Sequence, residues 1–348
     1  MDSPVEFFKK LLLGLAKKNA SGLHLSAGSA PLQRIYGRLS ESDSEEILTK
    51  DDLEKIIRSF LSEEELAILT EKKEILFVRD FGDNFRFRVN VFFQKDSPAL
   101  SLSYISEEIT DFDSLGFPPA FKKNLLNASG LLLIAGPAAS GKTSTIASII
   151  EKINKEKRKY IITLEDPIEK LFVNKKSLID QRQVGRDVNS FLDGLKHCLD
   201  EDVDAVYIDE IRVDFGLVLP YILELASGNT LVILEINAES SARALEKILN
   251  TNCQNLSKES VHLMTADVLF GVVVQRLLPN RESSFSLASE VLLSNFAVKS
   301  LIREDKIHQL EGIIQNSAEE GMISMEKSIK ELVLSGQVDR KEVGDMEI

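Results

Sequence analysis

The chain has 348 residues, 43% hydrophobic and 28% charged, which suits an ordinary soluble globular protein of two domains with ample length for a core. A net charge of −13 argues against nucleic acid as the main partner, because a duplex binder presents a basic face and basic residues here cluster only briefly, as over residues 152–159. Two distant cysteines, Cys198 and Cys253, exclude a disulfide framework and a tetracysteine zinc motif, and no apolar run reaches the length of a membrane span.

In chain order, Val5, Phe7, Phe8, Leu11, Leu12 and Leu15 recur at helical spacing and predict a packed helix. Lysines inside the stretch and the absence of a small-residue cleavage site argue against a signal peptide. Residues 23–39 read as two short strands around the turn at 28–31, and 51–70 as one amphipathic helix. Residues 74–81 and 84–94 alternate apolar and polar, with Gly82-Asp83-Asn84 between them as a hairpin turn, and 97–105 reads as a further strand. Residues 1–112 are therefore expected to form a small α+β domain, with a linker at 111–121 where acids, Gly116, Pro118 and Pro119 break the pattern. Beyond it, continuous apolar runs at 131–135, 159–166, 204–210 and 230–237 alternate with helical segments. This predicts an α/β domain over 113–348 built on a parallel sheet buried on both faces, closed by a helical segment from about 291 to 348.

Gly136, Pro137, Ala138, Ala139, Ser140, Gly141, Lys142 and Thr143 fit G-x-x-x-x-G-K-[ST], between an apolar strand and a helix, with Ser144 adjoining. Glycines let successive N–H groups turn toward phosphate oxygens, and the helix that follows presents its positive end to the same anion. Lys142 is expected to reach the β- and γ-phosphates of ATP, and the Thr143 hydroxyl to ligate Mg²⁺. A second acidic element is needed, and 205–210 supplies it as an apolar strand ending in Asp209-Glu210. Asp209 is assigned to the metal shell and Glu210 to polarising the attacking water. Glu165-Asp166 ends another strand and is a third acidic pair for the same site.

These residues resemble the type II/IV secretion ATPase family, in its PilT-like type IV pilus retraction branch. Thr163-Leu-Glu-Asp-Pro-Ile-Glu169 resembles the family's Asp box, Gln181-Arg-Gln-Val-Gly-Arg-Asp187 the stretch after it, and Gln275-Arg-Leu-Leu-Pro279 its QRLLP segment. Residues 297–304, AVKSLIRE, resemble the motif of the retraction branch, with His308, Gln315 and Met322 continuing its pattern. In the first domain, 23–28 with Pro31, Arg34 and Gly37 resembles the opening block, and Arg86-Phe-Arg-Val-Asn90 the RFRVN strand. The resemblance implies a PAS-like N-terminal domain, a RecA-like P-loop NTPase domain with a helical C-terminal tail, and a hexameric ring, either homomeric or mixed with a PilT homologue. It implies ATP hydrolysis driving pilus retraction and twitching motility from the cytoplasmic side of the inner membrane, through a platform protein, with no direct membrane insertion. By the same resemblance Arg86 and Arg88 are candidates to neutralise transition-state charge, in trans from a neighbouring subunit or in cis, and Glu165 and Glu210 are the catalytic acids.

The family's His box is altered. Asn229 or Thr230 stands in the place of its first histidine and Asn237 in that of its second, an acid replaces a basic residue within 199–204, and Ser103 or Tyr104 stands where a further arginine is expected. Asparagine donates a hydrogen bond but carries no charge and shuttles no proton. Nucleotide binding is therefore expected to persist with slower hydrolysis, and the alternative reading is a weakened paralogue serving beside an active homologue.

Overall fold

The computed structural model describes every residue except 1–2, 18–19, 36–37, 43, 83–84, 282–283 and 344–348. Gly37 of the opening block and Asp83 and Asn84 of the expected hairpin turn thus lie outside the described residues. The chain divides into two compact units, one of residues 1–108 with 169–171, the other of 109–168 with 172–348.

In the first unit, β1 (Ala20–Ser26), β2 (Leu32–Ile35), β3 (Arg38–Glu41), β4 (Glu74–Asp80), β5 (Arg86–Gln94) and β6 (Ser97–Ile105) form an antiparallel sheet in the order β3-β2-β1-β6-β5-β4. The helix Pro4–Lys17 buries Phe8, Leu11, Leu12 and Leu15 in one core with Phe87, Val89 and Val91 of β5. The single helix expected over 51–70 is two, Lys50–Arg58 and Glu63–Lys72. Each opens on a capping box: Thr49 with Asp52, and Ser62 with Glu65, whose N–H donates to Ser62 Oγ at 3.2 Å. A second N-cap inside one apolar period starts a second helix, because Ser62 satisfies amides that a continuous helix would not leave open. β3 is also additional to the two strands expected here.

The second unit holds β7 (Gly130–Ala135), β8 (Tyr160–Glu165), β9 (Leu178–Gln183), β10 (Ala205–Ile208), β11 (Leu231–Ile236), β12 (Leu269–Pro279) and β13 (Phe285–Leu293). Their order is β13-β12-β7-β11-β10-β8-β9, parallel from β12 to β9, with β13 antiparallel at one edge. β7, β10 and β11 are buried throughout, as continuous apolar runs in a sheet covered on both faces should be. The boundary falls at 108/109 rather than 112/113, and 111–121 is not a solvated linker. Phe112, Phe117 and Phe121 are buried in the core of the second unit, with Phe117 and Phe121 edge to face at 5.4 Å. Replacing the fully buried Phe121 by Ala is expected to cost about 3–5 kcal/mol, read as an earlier urea transition of this unit. Cys198 and Cys253 are buried free thiols, and burial pushes Cys198 up to about 11, so it stays a protonated, unreactive packing group. Among the described residues no helix is long and apolar enough to cross a membrane.

Candidate active site

In a parallel sheet the carboxyl ends of the strands share one edge, and here that edge gathers the acidic and phosphate-loop residues. The loop leaves β7 at Ala135 and enters the helix Lys142–Glu156. Three of its residues, Gly136 (φ +152°), Ala139 (φ +61°) and Gly141 (φ +88°), have positive φ, which coils the loop. At Gly136 a side chain is excluded by more than φ: a Cβ would fall 2.3 Å from Ser140 Oγ and 2.7 Å from the Gln275 carbonyl of β12. Ser140 Oγ is itself buried, with no hydrogen-bond partner among the described residues. A tightly curled loop with an orphaned buried hydroxyl fits a phosphate group, whose oxygens complete such donors. Pro137 is half-buried, while Ala138, Ala139 and Ser144 are exposed. Lys142 is buried, and its ammonium donates to the carbonyls of Gly136 at 3.0 Å and Pro137 at 2.9 Å, so the lysine folds back across the loop.

β11 lies between β7 and β10, so the phosphate loop and Asp209-Glu210 are one strand apart at this edge. The Asp209 carboxylate accepts the N–H of Glu210 at 2.7 Å and the N–H of Asp166 at 3.1 Å, which fixes it against the end of β8. Carboxylate and hydroxyl oxygens, such as those of Asp209 and Thr143, are hard donors of the kind that suit Mg²⁺. Glu210 is partly exposed, its carboxylate 3.9 Å from Arg212 Nε. Glu165 is buried at the end of β8 and accepts from Thr163 Oγ1 at 2.6 Å and Gln181 Nε2 at 3.1 Å. The second partner explains why the Gln181 stretch accompanies the Asp box: β9 pairs with β8 and brings Gln181 opposite Thr163. Gln275 is buried and donates to Thr145 Oγ1 at 2.7 Å, so the QRLLP strand braces the phosphate-loop helix.

Sequence reasoning passed over one acid here. Glu235, the penultimate residue of β11, is buried, with its carboxylate 3.6 Å from Lys142 Nζ and 3.4 Å from both Thr143 Oγ1 and Tyr207 OH. The signal was present, because 231–236 is apolar except for this one position and an acid in a doubly buried strand demands a partner.

The residues in place of the His box divide between the two ends of the sheet. Asn237 follows β11 at the phosphate-loop edge and is exposed. Asn229 and Thr230 precede β11 at the opposite end, where the Thr230 carbonyl accepts the N–H of Gly130 at 2.9 Å and its hydroxyl donates to Val203 O at 2.8 Å. At about 3.3 Å per residue, a six-residue strand holds them some 20 Å from this chain's own phosphate loop. A cavity of about 680 Å³ beside Gly130, Gly228 and Asp267 opens at that same far end. The four histidines sit on other elements: His24 on β1, His197 and His262 on helices, His308 in a 3₁₀ turn.

Arg86 and Arg88 belong to the first unit and point from the same face of β5. Arg86 donates to the Asp80 carboxylate at 3.0 Å and, through Nε, to the Glu169 carbonyl at 2.8 Å, while Arg88 donates to the Glu169 carboxylate at 3.0 Å. Ser103 stands directly across from Arg88 in the ladder, on the arginine face, whereas Tyr104 pairs with Phe87 and packs on its ring. Ser103 is therefore the position at which a third arginine would join the pair.

The family model described as type II/IV secretion system protein matches residues 73–343. The chain is 30% identical over 322 residues to the twitching motility protein of Neisseria gonorrhoeae, covering 92% of this chain and 85% of that one. It is 30% identical over 332 residues to the type IV pilus retraction ATPase PilT of Pseudomonas aeruginosa, covering 95% of each. It also matches the crystal structure of the pilus retraction motor PilT with bound ADP, at 32% identity, with a TM-score of 0.81, over 97% of this chain and 96% of that one.

Proposed function

This chain belongs to the type II/IV secretion system protein family, and from that membership we propose that it is an ATP-driven, ring-forming motor subunit that retracts type IV pili. That it is a PilT-like ATPase follows from the family and from the match to PilT. The finer reading is of a hexamer, homomeric or mixed with a PilT homologue, peripheral to the cytoplasmic face of the inner membrane and coupled to the pilus platform protein. The single observation that supports it best is the phosphate loop, with Ser140 Oγ buried and awaiting an acceptor at the edge shared with Asp209 and Glu210.

In this reading residues 136–144 wrap the phosphates, and Lys142 leaves the Gly136 and Pro137 carbonyls for the β- and γ-oxygens. Thr143 and Asp209 would hold a Mg²⁺, which would neutralise phosphate charge. Glu210 orients and polarises the attacking water, and Glu165, fixed by Thr163 and Gln181, supports that edge. Arg86 and Arg88, carried on the PAS-like first unit, supply positive charge to the transferring phosphoryl group, in trans to a neighbouring subunit or in cis. A second reading is favoured by the exposed Asn237, which offers a hydrogen bond but no charge where a histidine is expected: a slow paralogue acting beside an active homologue.

Steady-state ATPase assays on the wild type and Glu210→Gln separate the two. The motor reading expects the substitution to lower turnover by about 10²- to 10³-fold with ATP affinity kept within about threefold. Equal, near-background rates from both proteins, with ATP still bound, would reject the motor reading and leave the accessory one.

A further inference from the structure

We propose that Glu235 is a built-in competitor for the phosphate-loop lysine, and that it makes ATP binding by this chain depend on a divalent cation. The inference rests on the phosphate-loop reading above and concerns a residue to which that reading gives no role.

A carboxylate on the penultimate residue of a strand buried on both faces is costly unless cations or donors surround it. Glu235 meets that demand at the phosphate loop. One oxygen lies 3.6 Å from Lys142 Nζ, and the other lies 3.4 Å from Thr143 Oγ1 and 3.4 Å from Tyr207 OH. With the Gly136 and Pro137 carbonyls, it holds the ammonium inside the loop. The position is set by topology: β11 lies between the phosphate-loop strand and the Asp209 strand, so its end falls between their functional groups.

Two anions thus seek one ammonium. When a terminal phosphate takes Lys142, the Glu235 carboxylate loses that cation while a polyphosphate of the same sign arrives beside it. Inside a low-dielectric site this opposes binding. Thr143, whose hydroxyl lies 3.4 Å from a Glu235 oxygen, would hold a divalent cation close to that carboxylate, and the added positive charge would reverse the sign. Glu235 is therefore a positioning residue that couples nucleotide binding to cation binding, and the coupling is reciprocal.

The test is equilibrium binding of ATP to the full chain in EDTA and in excess Mg²⁺, for the wild type, Glu235→Gln and Glu235→Thr, with circular dichroism to confirm folding. Glutamine keeps the shape and removes the charge, and threonine serves if the glutamine variant does not fold. For the wild type the Kd in EDTA is expected to exceed that in Mg²⁺ by about 10²-fold or more. In either variant the ratio is expected to fall by at least about tenfold, through tighter binding in EDTA. A ratio equal to the wild type in a folded variant that binds ATP overturns the inference and leaves the phosphate-loop reading intact. No ATP binding by wild type or variants under either condition overturns both.

Discussion

Lys142→Ala is expected to raise the Kd for Mg-ATP by roughly 30- to 3,000-fold, the range that corresponds to about 2–5 kcal/mol for removing one member of a buried charge pair at 1.4 kcal/mol per decade. The lysine is buried, with its ammonium on the Gly136 and Pro137 carbonyls of the loop. The same substitution takes the ammonium away from Glu235, so the apo protein is also expected to melt earlier. These two effects separate in a double mutant: Lys142→Ala with Glu235→Gln should recover thermal stability without recovering ATP binding. Isothermal titration and thermal melts read both quantities, and an unchanged Kd in Lys142→Ala would exclude residues 136–144 as the nucleotide site.

Arg88→Ala is expected to lower kcat by about 10³-fold or more while leaving the ATP Kd within a few-fold, the signature of a contact made only in the transition state. The guanidinium now lies against the Glu169 carboxylate at 3.0 Å, so a purely structural role has its own signature. If Arg88 serves only that ion pair, Glu169→Ala and Arg88→Ala should lower stability alike and leave kcat alone. If Arg88 serves the phosphoryl group, Arg88→Ala should lose turnover and Glu169→Ala should not lose it to the same extent. Matching, small changes in kcat for both variants would remove Arg88 from the catalytic set. Arg86, given the same role, is held by the Asp80 carboxylate and the Glu169 carbonyl.

What the sequence determined by itself was chemistry that depends on short-range order. The run from Gly136 to Thr143 specifies its own backbone, because positive φ at Gly136 and Gly141 and the helix begun at Lys142 are local events. The strands β7, β8, β10 and β11 were equally legible, because burial on both faces writes a run of mostly apolar residues without alternation. The family, the α/β class and the ATPase activity followed from those motifs in collinear order, and the comparisons with known proteins agree on all three.

Other elements were hidden for physical reasons. β9 is an edge strand of mostly polar residues, and β12 is a long apolar stretch whose pattern suits a helix as well as a strand. The residues at 111–121 looked like a linker because prolines and glycine break periodicity, yet three phenylalanines carry them into the core. Strand order was the decisive property that no local pattern encodes. Only the tertiary structure placed β11 between β7 and β10, which put Asn229 and Thr230 at the far end of the sheet and Asn237 at the near one. The same placement turned an unremarked acid in an apolar strand, Glu235, into the nearest carboxylate of the phosphate-loop lysine, because parallel strands bring together side chains that lie 93 positions apart in sequence (235 − 142).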